Sequence, residues 1–281
     1  MAYAGEHKVQ RPPILIGRTL AIRAAEGLAG GAVFLLLLQG ALGFSIIDAE
    51  FWNAFQVLFL QGIQSTLFYV AIIIPVSVMA GFLTAWARTS KYRVLSWPAR
   101  LYVEFFRGVP PLVVVVFAAL FGPDFIPARF YSRTAGFIIV ALAIALHSGA
   151  YQAEIFRAGF QSVPRAQLEA AQALGMRPLQ SMRYVVLPQA LRVSLPPLGN
   201  EFAAVIKDTS LLSAIGVLDL FGAGYDFVQI LLFSFGGKIH WLFAVWTSVA
   251  LVYFFMTFSV TRLLLFIERR LRVPGLEGMT V

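Results

Sequence analysis

His147, Tyr151 and Glu154 are spaced four and three residues apart in one apolar stretch, so on a helix they share a face. A carboxylate there can hold a cation, while an imidazole and a phenol can donate to an anion. Lys207, beside Asp208 in a later apolar stretch, adds a cationic donor. Polar groups at membrane depth face a bundle interior or a water-filled path, so the set reads as the lining of a path for a small charged solute. A second reading stays open: Glu154 pairs with Arg157, three residues on, and braces the inner interface. Glu104 and Arg107 pose the same choice between an ion pair and a gate. The three histidines, His7, His147 and His240, are scattered and there is no cysteine, so no metal site is expected.

The elements that carry these residues are set by composition. Of 281 residues, 59% are hydrophobic and 13% charged, against about 25% charged in a soluble domain. A spanning helix needs roughly 20 apolar residues. Six stretches qualify: 25–46, 62–86, 99–121, 134–155, 194–218 and 241–266. The expected fold is therefore an all-α, six-span membrane protein. The third span is long enough only if it reaches back past Glu104 and Arg107, and Arg107-Gly108-Val109-Pro110-Pro111 should kink it. The fifth holds Pro196, Pro197, Asn200, Glu201, Lys207 and Asp208, so it should be central and covered, with Thr209 and Ser210 capping a restarted helix. Ser77, Gly81 and Ala85 recur at four-residue steps, as suits close helix packing.

The net charge of +8 is arranged as a topology signal. Lys and Arg cluster before the first span, between the second and third, between the fourth and fifth, and after the sixth; the opposite loops hold Arg129, Arg133 and Lys238. Both termini are then cytoplasmic and the chain lies in the inner membrane, contacting lipid rather than nucleic acid. The basic leader is long for a signal peptide, so 25–46 is read as an uncleaved span.

Between the fourth and fifth spans, "EAAQALGMRPLQSMRYVVLP" (169–188) reads as two short helices divided by Gly175. Ser162 and Pro164 would start the first; Pro178 would start the second, which would end near Leu187-Pro188. A helical, Ala-rich loop of this kind reads as a docking element.

The spacing Glu169-Ala170-Ala171, Gly175, Val185, Leu187-Pro188 resembles the cytoplasmic signature of permease subunits of bacterial ABC importers. "GIQSTLFYV" (62–70), "YVEFFRGVPPLVVVVF" (102–117), "LPQALRVSLPPLGNEF" (187–202) and "KDTSLLSAIGVLDL" (207–220) are similar to its polar amino-acid branch, the histidine/glutamine/arginine type. The resemblance covers about residues 55–270, with 157–193 as the coupling loop, residues 1–24 and 271–281 as cytoplasmic ends, and 25–46 as a span beyond the family core. "LVVVVF" stands where the family usually has a Gln among the aliphatic residues.

The resemblance implies a type I importer permease, not an enzyme, whose loop helix couples to an ATPase. It implies two ATPase subunits, a second permease (this chain again or a paralogue), and a periplasmic or lipid-anchored binding protein. The chain has no G-x-x-x-x-G-K-[ST] loop, so it needs no cofactor of its own; ATP and magnesium belong to the partner. An amino acid arrives as a zwitterion, which His147, Tyr151, Glu154 and Lys207 would suit. An ATPase-independent transporter or channel is the alternative, but it leaves the 169–188 hairpin without a role.

The topology makes a direct prediction. In this cysteine-free chain, Ala49→Cys, Pro127→Cys and Gly236→Cys should react with an impermeant thiol reagent from outside. Ser90→Cys, Ala166→Cys and Gly278→Cys should not; reversal at adjacent loops refutes the orientation.

Overall fold

The computed structural model describes residues 25, 29–37, 39–40, 48–234 and 240–271. Of the expected first span, residues 25, 29–37 and 39–40 are described and helical; the leader and the C-terminal tail lie outside the described residues. Among the described residues all regular structure is helical. The helices are α1 (Ala49–Thr89), α2 (Arg93–Gly108), α3 (Pro111–Phe121), α4 (Arg133–Gln161), α5 (Arg165–Ala173), α6 (Pro178–Ser181), α7 (Leu187–Asp208), α8 (Leu220–Ser234) and α9 (His240–Leu271).

Among the described residues, α1, α4 and α9 are each long and apolar enough to cross a membrane, and the count rises to as many as five if each of two bent pairs is one span. The sixth expected span is the one at 25–46, which this count does not reach. Helix α1 begins well before the expected residue 62. At 41 residues it is about 60 Å long, twice the hydrocarbon thickness of about 30 Å. The early start has a cause. Asp48 caps the helix, accepting from the amides of Glu50 (2.9 Å) and Phe51 (3.3 Å). Phe51 and Phe55 then pack with Phe227, Leu231 and Trp241 of α8 and α9. Trp241 Nε1 donates to Asp48 at 3.1 Å, joining the starts of α1 and α9.

The third expected span is not one continuous helix. Helix α2 and the segment Pro111–Phe125 meet at 105°. Val109 and Pro110 each precede a proline and are extended, with ψ of 131° and 138°, because a following proline excludes the α conformation. The sequence's kink is thus a break.

The loop hairpin and the fifth span are also joined differently from expectation. Helix α6 runs through a π turn, Met182–Val186, directly into α7. Leu187 N donates to Met182 O in the wider register, which takes up the donor-less Pro188 in the first turn of α7. The hairpin therefore does not end at Leu187-Pro188. Nor does a helix restart at Thr209: its hydroxyl donates back to Ile206 O at 2.7 Å, and a 3-10 segment continues to Ile215. The stop is Gly216, at φ 80°. Asp219 then caps α8 through the amides of Gly222 (2.9 Å) and Phe221 (3.3 Å). Helix α8 falls where an outer loop was expected.

The seam of α1 on α4 is built as the small-residue spacing suggested. Ser77, Gly81 and Ala85 are all buried. A Cβ on Gly81 would stand 2.7 Å from Gln152 Cβ and 3.0 Å from Gly149 O. Such overpacking costs about 1–3 kcal/mol. Gly81→Leu is expected to lower the unfolding temperature in detergent by several degrees. Gly136→Leu, at a site with open space within 4 Å, should leave it nearly unchanged. Equal effects would contradict the seam.

Candidate functional site

His147, Tyr151 and Glu154 lie in a stripe along one side of α4, and α2 covers them. His147 is buried, with ring centroids 6.4 Å from Phe106 and 5.4 Å from Tyr151. Tyr151 lies under the Arg107 guanidinium at 5.7 Å. Glu154 sits among three cations: Arg88 Nη1 at 2.5 Å, Arg157 Nε at 2.7 Å and Arg107 Nη1 at 3.3 Å. The pairing of Glu154 with Arg157 therefore exists, and two further arginines join it. The expected Glu104–Arg107 pair does not form. Glu104 is exposed, and Arg107, at the end of α2, reaches Glu154 on α4 instead. One carboxylate so ties the C-terminal end of α1, the break after α2, and α4.

One step around α4 lies a polar network that the stripe did not include. Gln152 Nε2 donates to Ser77 Oγ at 2.8 Å and to Ser148 Oγ at 3.1 Å. Ser148 Oγ in turn donates to Glu201 Oε1 at 2.8 Å. These residues link α1, α4 and α7 through the bundle interior. Gln152 Oε1 and His147 Nδ1 are buried with no hydrogen-bond partner, although buried polar atoms ordinarily have one. The available signal was Glu201 itself, a carboxylate in an apolar stretch; Ser148 and Gln152 follow from it only once α4 and α7 are known to touch.

Lys207 is not part of this constellation. It is exposed on α7, with Ser210, Phe221, Trp246 and Tyr253 around an open cleft between α7, α8 and α9. It forms no ion pair among the described residues.

The hairpin projects from the bundle. Ser162 belongs to the end of α4, its hydroxyl donating to Gly159 O at 2.8 Å, and Pro164 precedes the first residue of α5. Glu169 and Ala170 are exposed and Ala171 is buried. Gly175 has φ 79°, with its amide on Gln172 O (2.9 Å) and the Met176 amide on Ala171 O (3.1 Å). This is a Schellman stop, closed by the one residue that takes left-handed φ without strain. Leu174 and Leu179, on either side of the turn, are 81% and 68% exposed. Gln189 of α7 donates to Gln167 of α5 at 2.5 Å and to Val185 O at 2.9 Å. Leu187 is half-buried and Pro188 exposed. The hairpin is thus fastened to α7 while its apolar tip is open.

The family described as binding-protein-dependent transport system inner membrane component matches residues 77–273. A probable amino-acid permease of Bacillus subtilis, YxeN, is 34% identical over 230 residues, which is 81% of this chain and 97% of that one. The glutamine transport system permease GlnP of Escherichia coli is 33% identical over 223 residues, 79% of this chain and 96% of its own. A crystal structure described as an amino acid ABC transporter with histidines superposes with a TM-score of 0.65 at 33% identity, covering 80% of this chain and 99% of that one. The inward-facing MetNI methionine ABC transporter shares the fold at a TM-score of 0.60 and 17% identity.

The arginine cluster predicts unequal mutants. Glu154→Gln leaves three guanidiniums without their carboxylate, whereas Arg157→Gln leaves Glu154 bonded to Arg88. Charged hydrogen bonds contribute about 1.5–3 kcal/mol each. In thermal unfolding, Glu154→Gln should lose about 2 kcal/mol more than Arg157→Gln, and the double mutant should match Glu154→Gln alone. Equal losses in the two single mutants would mean that Arg88 and Arg107 do not share the carboxylate.

Proposed function

The chain belongs to the binding-protein-dependent transport system inner membrane component family, and from that premise we propose that it carries polar amino acids inward, driven by ATP hydrolysis on separate subunits. It is the permease subunit of an ABC importer, with a type I permease fold, in the inner membrane. Polar amino acids as cargo are supported by the 33–34% identical relatives, which are named for amino acids and glutamine. The proposed assembly has two permease subunits, two ATPase subunits that hold ATP and magnesium, and a binding protein outside. Both termini of this chain are placed on the cytoplasmic side.

The observation that carries this reading is the hairpin. An exposed apolar tip at Leu174 and Leu179 suits a cleft on another protein. Behind the tip, the Gln167–Gln189 bond and the unbroken run α6–π turn–α7 link it to the bundle. Displacing the hairpin would move α7, and with it Glu201, against Ser148 on α4. His147 and Tyr151 would then line the solute path, with the Gln152–Ser148–Glu201 network as its acceptor. Glu154, held by three arginines, serves as a latch at the inner end. An ATPase-independent transporter leaves this linkage unused.

Gly175→Leu and Glu169→Lys test the coupling in the reconstituted complex. A side chain at 175 carries roughly 1–2 kcal/mol of left-handed strain, in a site with no steric conflict. Both variants should reach the membrane at normal levels. Uptake should fall severalfold, and ATPase activity should no longer respond to loaded binding protein. Wild-type stimulation in both would remove the hairpin from the coupling role.

A further inference from the structure

Helix α2 has three distinct sides. Ser96 and Val103 are buried, Val103 against Ala150 and Ala153 of α4. Val94, Trp97, Leu101 and Phe105, spaced three, four and four apart, form an exposed apolar side; Val94 is 84% and Trp97 67% exposed. Arg93, Arg100 and Arg107, each seven apart, form the third side, with Glu104 among them. Lys91 and Tyr92 stand exposed just before the helix, the Lys91 ammonium 5.3 Å from the Tyr92 ring.

The orientation of α2 follows from its neighbours. Val115 of α3 packs on Val140, Ala141 and Ile144, nearer the start of α4, so α3 rises along the bundle. Helix α2 turns away from it by 105° and meets α4 at Ala150, Ala153 and Glu154, toward its far end. A helix so turned runs across the bundle at the level where α1 and α4 leave the hydrocarbon. A helix with apolar and aromatic residues on one side and basic residues on another lies in a membrane interface. Trp and Tyr favour that depth.

We infer that α2 lies in the cytoplasmic leaflet and binds anionic phospholipid headgroups through Lys91, Arg93 and Arg100. Charge complementarity selects this occupant. Lys91, Arg93 and Arg100 are all exposed and none forms an ion pair among the described residues, whereas Arg107 is turned to Glu154. Arg88, next to the segment, is likewise held by Glu154. The local acid available to oppose the three free cations is Glu104. Each basic side chain near an anionic surface adds about fivefold to lipid preference. Because the same helix delivers Arg107 to the Glu154 latch, lipid charge bears directly on the inner end of the bundle. The inference rests on the loop before α2 being cytoplasmic, which labelling at Ser90→Cys checks separately.

The test uses the complete importer, permease with its ATPase, in vesicles of phosphatidylcholine containing phosphatidylglycerol. Leu101→Cys carries an environment-sensitive fluorophore. Quenching is compared between nitroxide-labelled phosphatidylglycerol, nitroxide-labelled phosphatidylcholine and aqueous iodide. The labelled anionic lipid should quench severalfold more than the labelled neutral lipid. The ratio should fall by at least about fivefold when Lys91→Gln, Arg93→Gln and Arg100→Gln are combined. Quenching by iodide alone would put α2 in water. Quenching by neither would mean that a protein covers this side. Equal quenching by both lipids would show a membrane seat with no headgroup preference. Each of these three results overturns the proposal, and none depends on which solute is carried.

Discussion

The contact between α1 and α4 at Gly81 sets the geometry of the bundle. Lipid offers no hydrophobic drive for one helix to prefer another, so association rests on close packing and interhelical hydrogen bonds. With no side chain at Gly81, Gln152 and the Gly149 carbonyl come within van der Waals range of the α1 backbone. That proximity places Gln152 within 2.8 Å of Ser77 above and Arg88 within 2.5 Å of Glu154 below. A larger residue would push the helices apart and break both polar contacts. The polar interior of the permease thus depends on an apolar, steric condition.

From that seam the structure extends to its two working ends. Toward the middle, Gln152 and Ser148 connect to Glu201 on α7, whose own N-terminal end is continuous with the hairpin. At the C-terminal end of α1, Glu154 gathers Arg88, Arg107 and Arg157 from three segments. Breaking a partly buried pair by removing one partner costs more than the pair contributes when intact. A cluster sharing one carboxylate therefore suits a junction that holds or releases as a unit. The hairpin reaches the first end through α7, and the broken α2–α3 segment reaches the second.

Much of this was legible in the sequence, and the limits have physical reasons. The small-residue steps of α1 and the Gly175 stop depend on local rules of size and φ, and they appear where those rules place them. Pro110 and Pro111 announced an interruption, but its 105° angle depends on what α2 packs against. Helix α8 was missed because its aromatic contacts with Phe51 and Phe55, and the Tyr253 hydroxyl that donates to its cap Asp219 at 3.0 Å, join residues far apart in the chain. Helical spacing on α4 singles out Glu154. Its partners Arg88 and Arg107 come from other elements, and helical spacing on α4 reveals only Arg157. Glu104 and Arg107 show the converse case: spacing allowed a pair, and a better-placed carboxylate on another helix took the arginine.

The central claim is that the hairpin tip is where ATP-driven motion is received. Its most direct test is site-specific crosslinking from Leu174→Cys in this cysteine-free chain to the ATPase subunit of the assembled complex. The account predicts an efficient crosslink to the ATPase from Leu174→Cys and none from Val113→Cys, an exposed position on α3 within the bundle. A crosslink from neither position, with the complex intact and the transporter active, would contradict it.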